Sequence, residues 1–240
     1  SLFVTFFPQL IAGPIVRQDI LLKQFSNPKI ASIVQSNFYS GICVFFIGLF
    51  KKAVLADSIA IYANPLFSEA YKGASIGFFE AWLGSLAYTF QLYFDFSGYS
   101  DMAIGLGLLL GISLPINFNS PFKARDISEF WRRWHITLSN FIRDYLYSPL
   151  TIYLTRYAMT RRIGNFNIFI VTVAFPILFT FFWMGLWHGA GWTFILFGLI
   201  HGIYLVIHQI WITVERNLGL NKILSNSLIF RLFSLLLTFL

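Results

Sequence analysis

Long apolar runs, separated by short polar and basic clusters, set the pattern of this chain. A helix that crosses a bilayer needs about 20 mostly apolar residues. Phe3–Val16 is shorter and holds Pro8, Gly13 and Pro14, so it reads as a re-entrant or broken helix. The run Phe38–Phe50, closed by Lys51 and Lys52, predicts a span that starts a little earlier. Ile76–Phe94 predicts another, with Glu80 near its start. The polar knot Asp95–Asp101 then predicts a capped break between helices, and Met102–Ile116 a shorter, glycine-rich helix after it. Phe166–Trp187 is the clearest span, with a kink expected at Pro176. Trp192–Ile212 predicts a further span, and Leu228–Leu240 the start of a last one.

One segment has a different period. Phe130, Trp134, Leu138 and Phe141 recur at three- and four-residue steps, with Arg132, Arg133, Arg143 and Asp144 around that stripe. The pattern predicts one amphipathic helix over about Ile127 to Tyr147. It is too charged to span lipid alone and belongs at the interface or among other helices. Asp126, followed by Ile127-Ser128-Glu129, marks its start in the manner of a capping box. Glycines four residues apart (Gly107/Gly111, Gly185/Gly189, Gly198/Gly202) suit helices that approach closely in lipid.

Composition agrees with the pattern. The chain is 57% hydrophobic, 20% aromatic and 11% charged, with a mean hydropathy of +0.70. A soluble domain carries about 25% charged residues. The expected fold is an all-α polytopic transmembrane helix bundle, read as a single domain over 1–240. The chain starts without Met and stops inside an apolar run, as expected of a segment that lacks N-terminal spans and is cut short at its C-terminus. The net charge of +7 comes from residues that flank apolar runs. Such charge orients spans and attracts anionic lipid, and it predicts membrane lipid rather than nucleic acid as a partner. Cys43 is the single cysteine, so no internal disulfide forms; within its apolar run it reads as a small buried hydrophobe.

Against this background the ionisable residues stand out. An ionisable group at bilayer depth marks a candidate functional site, because leaving it there is costly. His188 follows Trp187 and lies among Gly185, Gly189 and Gly191, which leave room for a substrate beside its ring. Such an imidazole can act as a general base toward a hydroxyl; from residue type alone, a packing histidine bonded to a carbonyl is the favoured reading. His135, one turn after Trp131 and Arg132, can orient a substrate or polarise a carbonyl, or simply sit in a basic interfacial helix. His201 and His208 share a helix face, but at a spacing of seven and without a nearby carboxylate motif they predict no metal site. Asp95 and Asp101 can pair with arginines, carry protons or cap a helix break. No G-x-S-x-G elbow supports a serine hydrolase, and Gly105-Leu106-Gly107 is not a dinucleotide fingerprint.

Several strings in order along the chain resemble the bacterial branch of the membrane-bound O-acyltransferase (MBOAT) family, the branch of the alginate O-acetyltransferase membrane subunit. They are Phe7-Pro8-Gln9-Leu10-Ile11-Ala12-Gly13-Pro14, the run Asp95 to Gly105, Glu129-Phe130-Trp131-Arg132-Arg133-Trp134-His135, Arg143-Asp144-Tyr145-Leu146-Tyr147, and Gly185-Leu186-Trp187-His188-Gly189-Ala190. The resemblance runs from about Phe6 to about Ile210. It implies a multi-helix enzyme of a bacterial inner membrane that moves an acyl group from a thioester donor to a hydroxyl. It implies His188 as catalytic and His135 as the second active-site residue. Trp131, Trp134, Trp187, Arg132, Arg133, Asp95 and Asn117 are the implied substrate-binding or tunnel-lining residues, the arginines meeting donor phosphates or anchoring the helix by positive charge. The implied donor is acetyl-CoA, with no bound cofactor and no metal. The implied partners are an exported polysaccharide as acceptor and an extracytoplasmic acetyltransferase of the SGNH type. Two other readings remain at this point: a transporter or flippase of sugar-linked lipids, and a non-catalytic scaffold of a glycan-modifying complex.

Overall fold

The computed structural model describes residues 2–10, 13–162, 164–219, 234 and 238. The expected last span, Leu228–Leu240, lies outside the described residues except for Ser234 and Thr238. Among the described residues the fold is all-helical, with no strand. The chain divides into two compact units, Ser1–Asn117 and Phe118–Leu240.

The first unit holds α1 (Leu2–Thr5), α2 (Gln18–Phe25), α3 (Ile30–Phe50), α4 (Asp57–Tyr71) and α5 (Phe78–Leu109). The segment around Pro8 is broken as expected, a short helix followed by a 3-10 turn at Phe7–Gln9. Helix α3 extends the Phe38–Phe50 run backward and passes through a π turn, Lys51–Ala56, into α4. Cys43 is exposed on α3, not buried as expected; it shares an outward apolar surface with Phe46 and Ile47.

The knot at Asp95 does not break the chain. Helix α5 runs 32 residues straight through it, and ends at Leu109 rather than near Ile116. Two features explain the difference. Ser97, Gly98 and Ser100 are buried, and small side chains there let α5 lie against α3 at backbone distance. A Cβ on Gly48 would meet the Gly98 carbonyl at 2.5 Å, and one on Gly98 would meet the Gly48 carbonyl at 2.6 Å. The carboxylates then reach lysines of the π turn: Lys51 Nζ donates to Asp101 at 2.5 Å, and Lys52 Nζ lies 2.6 Å from Asp57 and 2.7 Å from Asp95. These two carboxylates, Asp57 first, raise the Lys52 ammonium above its ordinary value. The helix end is set by Gly111, whose φ of +74° supplies the left-handed residue that closes α5.

The second unit holds α6 (Ile127–Arg133), α7 (Ile136–Ile142), α8 (Ser148–Thr160), α9 (Asn165–Phe169), α10 (Phe175–His188) and α11 (Trp192–Asn217). The single amphipathic helix expected over Ile127 to Tyr147 is divided: α6 stops, Trp134 is extended, and α7 restarts after His135. A π turn, Arg143–Tyr147, leads into α8, and another, Ile170–Ala174, joins α9 to α10. The irregularity expected at Pro176 takes this form. Proline has no N–H to give to the preceding turn, and the wider π turn lies just before it.

Asn167–His188, with a mean hydropathy of 2.2, and Trp192–Asn217, with 1.8, are long and apolar enough to cross a membrane. Only 33% and 11% of their most apolar stretches are buried. A core helix of a water-soluble protein hides its apolar surface; these present it outward. The pair packs through glycine, as the four-residue spacing predicts. A Cβ on Gly198 would run into the Phe181 carbonyl, one on Gly185 into the Phe194 carbonyl, and one on Gly202 would meet the Phe181 Cβ at 3.2 Å.

Helix α6 starts as its sequence predicts. Asp126 Oδ1 accepts from the Glu129 N–H at 2.8 Å, and Glu129 Oε2 accepts from the Arg125 N–H at 2.8 Å. Arg133 donates twice to Glu129 Oε1, at 2.7 and 3.0 Å. The Arg125 N–H first, and Arg133 after it, hold the Glu129 carboxyl below its ordinary value.

Two outcomes are expected. Gly198→Ala should destabilise the protein by about 1–3 kcal/mol through overpacking against a backbone carbonyl, whereas Gly164→Ala, with nothing within 4 Å of the new Cβ, should be near neutral. Thermal unfolding in detergent compares them. Glu129 stabilises the fold only while ionised, so its contribution is present above the ordinary carboxylate value of 4.5 and fades as pH falls through the lowered one. Glu129→Gln should therefore flatten the acid side of the stability–pH curve.

Candidate active site

The site in the second unit begins with the break between α6 and α7. The Trp134 N–H still bonds the Phe130 carbonyl at 2.9 Å, but Trp134 itself turns extended. His135 then takes φ 42° and ψ 54°, the left-handed region. A residue with a Cβ is held there at a cost of about 1–3 kcal/mol, and such strain concentrates at functional sites. The loop before α6 supports the break. The Asn119 N–H donates to the Arg133 carbonyl at 2.9 Å, and Arg133 Nη1 donates to the Asn119 carbonyl at 3.0 Å. His135 is 6% exposed. Burial, with the nearby His188 imidazole adding to it, pushes His135 down to about 4. At neutral pH its ring is uncharged, with one donor nitrogen and one acceptor.

His188 closes α10, and Gly189 follows it outside the helix. Its ring stands edge-on to Trp187 at 4.9 Å and to Phe197 at 6.3 Å, and the residue is open on one side. The two imidazoles singled out from the sequence are thus close enough for the charge of one to act on the other.

A cavity of about 440 Å³ lies in the same unit, among α6, α7, α10 and α11. Trp131 and Arg132 line it, with Thr180 and Met184 from α10 and Leu205 and Gln209 from α11. His135 and His188 do not themselves line it. Residues 180, 184 and 188 follow one another at four-residue steps, so His188 continues the stripe of α10 that walls the cavity. Positions 201, 205 and 209 do the same on α11, so His201 continues the opposite wall. His201 meets Phe197 at 4.6 Å and Trp131 at 5.2 Å, both edge-on, and Trp131 meets Phe181 at 5.1 Å.

The remaining expected site residues are placed as follows. Arg132 lines the cavity and donates to Ser128 Oγ at 3.0 Å. Arg133 is engaged by Glu129 and Asn119. Trp134 stacks on Phe130 at 5.7 Å and stands edge-on to Phe118 at 5.1 Å. Trp187 is 62% exposed. Asp95 and Asn117 belong to the first unit, where Asp95 pairs with Lys52 and Asn117 donates to Ser100 Oγ at 3.2 Å. Sequence reasoning missed His201 and Thr180. The signal for His201 was its setting, a histidine followed by glycine within a pair of four-spaced glycines, as at His188.

Comparison with known proteins agrees with these features. The sequence model of MBOAT, the membrane-bound O-acyltransferase family, matches residues 1–239. The peptidoglycan O-acetyltransferase of Helicobacter pylori is 49% identical over 216 residues, 90% of this chain and 38% of that protein. The probable alginate O-acetylase AlgI of Pseudomonas aeruginosa is 44% identical over 219 residues, 91% of this chain and 37% of that protein. The teichoic acid D-alanyltransferase of Streptococcus thermophilus is 32% identical over 222 residues, 92% of this chain and 52% of that protein. The chain therefore spans well under two thirds of the length of these curated relatives. With that family's sequence model matching residues 1–239, the chain belongs to the membrane-bound O-acyltransferase family.

Proposed function

We propose that the chain is the core of a bacterial inner-membrane O-acetyltransferase, a single polytopic domain that moves acetyl from a thioester to a carbohydrate hydroxyl. The observation that carries this reading is a buried His135 and, at the end of the helix that walls the cavity, a His188 open on one side. Relatives named for O-acetyl transfer to peptidoglycan and alginate support the reaction class, and a polysaccharide as the acceptor.

The proposed roles are these. His188, open on one side, takes the proton of the acceptor hydroxyl as its oxygen attacks the thioester carbonyl. The C–S bond breaks, and the thiolate leaves to be protonated. His135, held neutral by burial, donates a hydrogen bond to the oxygen on which negative charge builds. Trp131, Trp134 and Trp187 keep bulk water from hydrolysing the thioester. Arg132, at the cavity wall, faces the phosphates of acetyl-CoA or of another acyl thioester, while Arg133 holds the loop before α6 in place. The extracytoplasmic SGNH-type acetyltransferase receives the acetyl group where transfer to polymer is indirect.

Radiolabelled acetyl transfer in membrane vesicles tests the reading. His188→Ala should lower transfer by at least about 100-fold at matched protein level, the range expected of a lost general base; unchanged transfer would remove His188 from the mechanism. His135 does not titrate between pH 5 and 8 if it is held at about 4. His135→Gln should therefore reduce kcat while leaving the acid limb of the pH–rate profile where it is. An acid limb that moves with this substitution would contradict a neutral His135.

A further inference from the structure

The cavity beside the histidines carries a set of polar groups that the fold does not use. Thr180 is 4% exposed and lines the cavity, and among the described residues its Oγ1 has no hydrogen-bond partner. Several helical threonines of this chain bond back to their own helix, while Thr151 of α8, away from the cavity, lacks a partner among the described residues as Thr180 does. Thr89, Thr160, Thr172 and Thr213 each donate to the carbonyl four residues earlier, at 2.8, 2.9, 2.8 and 2.8 Å. Thr180 makes no such bond. Trp131 also lines the cavity, and its Nε1 is buried with no partner among the described residues. His201 stands edge-on to Trp131 at 5.2 Å, and its Nδ1 is buried in the same condition. Three helices, α6, α10 and α11, thus each bring one unused polar group to this region.

The chemistry of the three groups limits what they recognise. The indole N–H only donates, the hydroxyl donates or accepts, and the imidazole nitrogen does one or the other by tautomer. None of the three side chains carries a permanent charge, and the walls beside them include Phe181, Met184 and Leu205. A volume of about 440 Å³ falls within the range of small-molecule pockets. It is far larger than an acetyl group alone would fill.

We infer that Thr180, Trp131 and His201 form a recognition site for an uncharged, oxygen-bearing part of a substrate, a carbonyl or a hydroxyl, held in the cavity beside His188. This rests on the acyl-transfer reading and adds three binding residues to it. His201 is here a substrate-binding residue and not a metal ligand.

Binding and turnover are measured separately, in vesicles carrying the full-length protein. The probes are tritiated acetyl-CoA, which offers carbonyl oxygens, and a neutral chitin tetramer, which offers hydroxyls. Thr180→Val removes the hydroxyl at nearly constant volume, and His201→Phe keeps the ring packing against Phe197 and Trp131. Each should weaken the binding of one probe, the same probe for both variants, by about five- to tenfold. The unfolding temperature of Thr180→Val should stay level or rise, because an unpaired hydroxyl has left the interior, and Thr180→Ser should restore binding. Which probe is affected tells whether the site reads the donor or the acceptor. Wild-type binding of both probes by Thr180→Val overturns the inference even if His201→Phe fails to fold. So does a wild-type protein that binds neither probe. His188→Ala separates the two levels: binding kept with transfer lost supports the acyl-transfer reading, whatever Thr180→Val does.

Discussion

The contact between α10 and α11 at backbone distance is the constraint on which the site depends. In lipid there is no hydrophobic force to drive two apolar helices together, so they are held by close packing and by polar contacts. Here Gly185 faces the Phe194 carbonyl and Gly198 faces the Phe181 carbonyl, which fixes both the separation and the register of the pair. That register brings Phe197 between His188 and His201, and places the stripes ending at the two histidines on either side of one cavity. Any side chain at these glycines would move the imidazoles before it touched them.

The second determinant is local strain. The apolar stripe of Phe130, Trp134, Leu138 and Phe141 suits an unbroken helix, and a helix through His135 would satisfy more backbone bonds than the observed break. The break persists because surrounding bonds impose it: the loop at Asn119 is tied in both directions to Arg133, and Arg133 is tied to Glu129. Histidine is among the few residues with side chains that visit the left-handed region with some frequency. The ion pair near the start of α6 therefore acts at its end, where it holds an imidazole in a conformation the sequence alone does not favour.

Much of this was legible in the sequence, and the failures have physical causes. Apolar runs located α3, α10 and α11, and four-spaced glycines located the α10–α11 contact, because both signals are local and periodic. The knot at Asp95 was misread because its polar residues look like a helix end. Their partners, Lys51 and Lys52, lie far back in the chain, and only tertiary packing shows that the charges are neutralised within a continuous α5. The break at His135 was invisible because a hydrophobic stripe does not report one residue's backbone angles. His135 and His188 were singled out because each follows a tryptophan, His188 lying among glycines as well, and the glycines around His201 went unused because a metal was the only role considered.

The unused polar atoms of the second unit press on the same point from the side of energetics. A buried donor or acceptor without a partner costs about 1–3 kcal/mol, and native proteins carry few of them. Thr180, Trp131 and His201 are three such groups beside one cavity, in a unit where Thr160, Thr172 and Thr213 bond their own helix. Stability alone favours valine, phenylalanine or leucine at these places, each compatible with a helix facing apolar neighbours. A polar group kept where it weakens the fold is explained by a ligand that completes it, and the part of the ligand that meets these three is uncharged and oxygen-bearing, because none of the three carries a permanent charge. Arg133 is spent on Glu129, and Arg143, which also lines the cavity, pairs with Asp144. Arg132 alone of these stands at the cavity wall without a carboxylate ion pair among the described residues, so a ligand with a charged end and a neutral, oxygen-bearing body matches the whole lining.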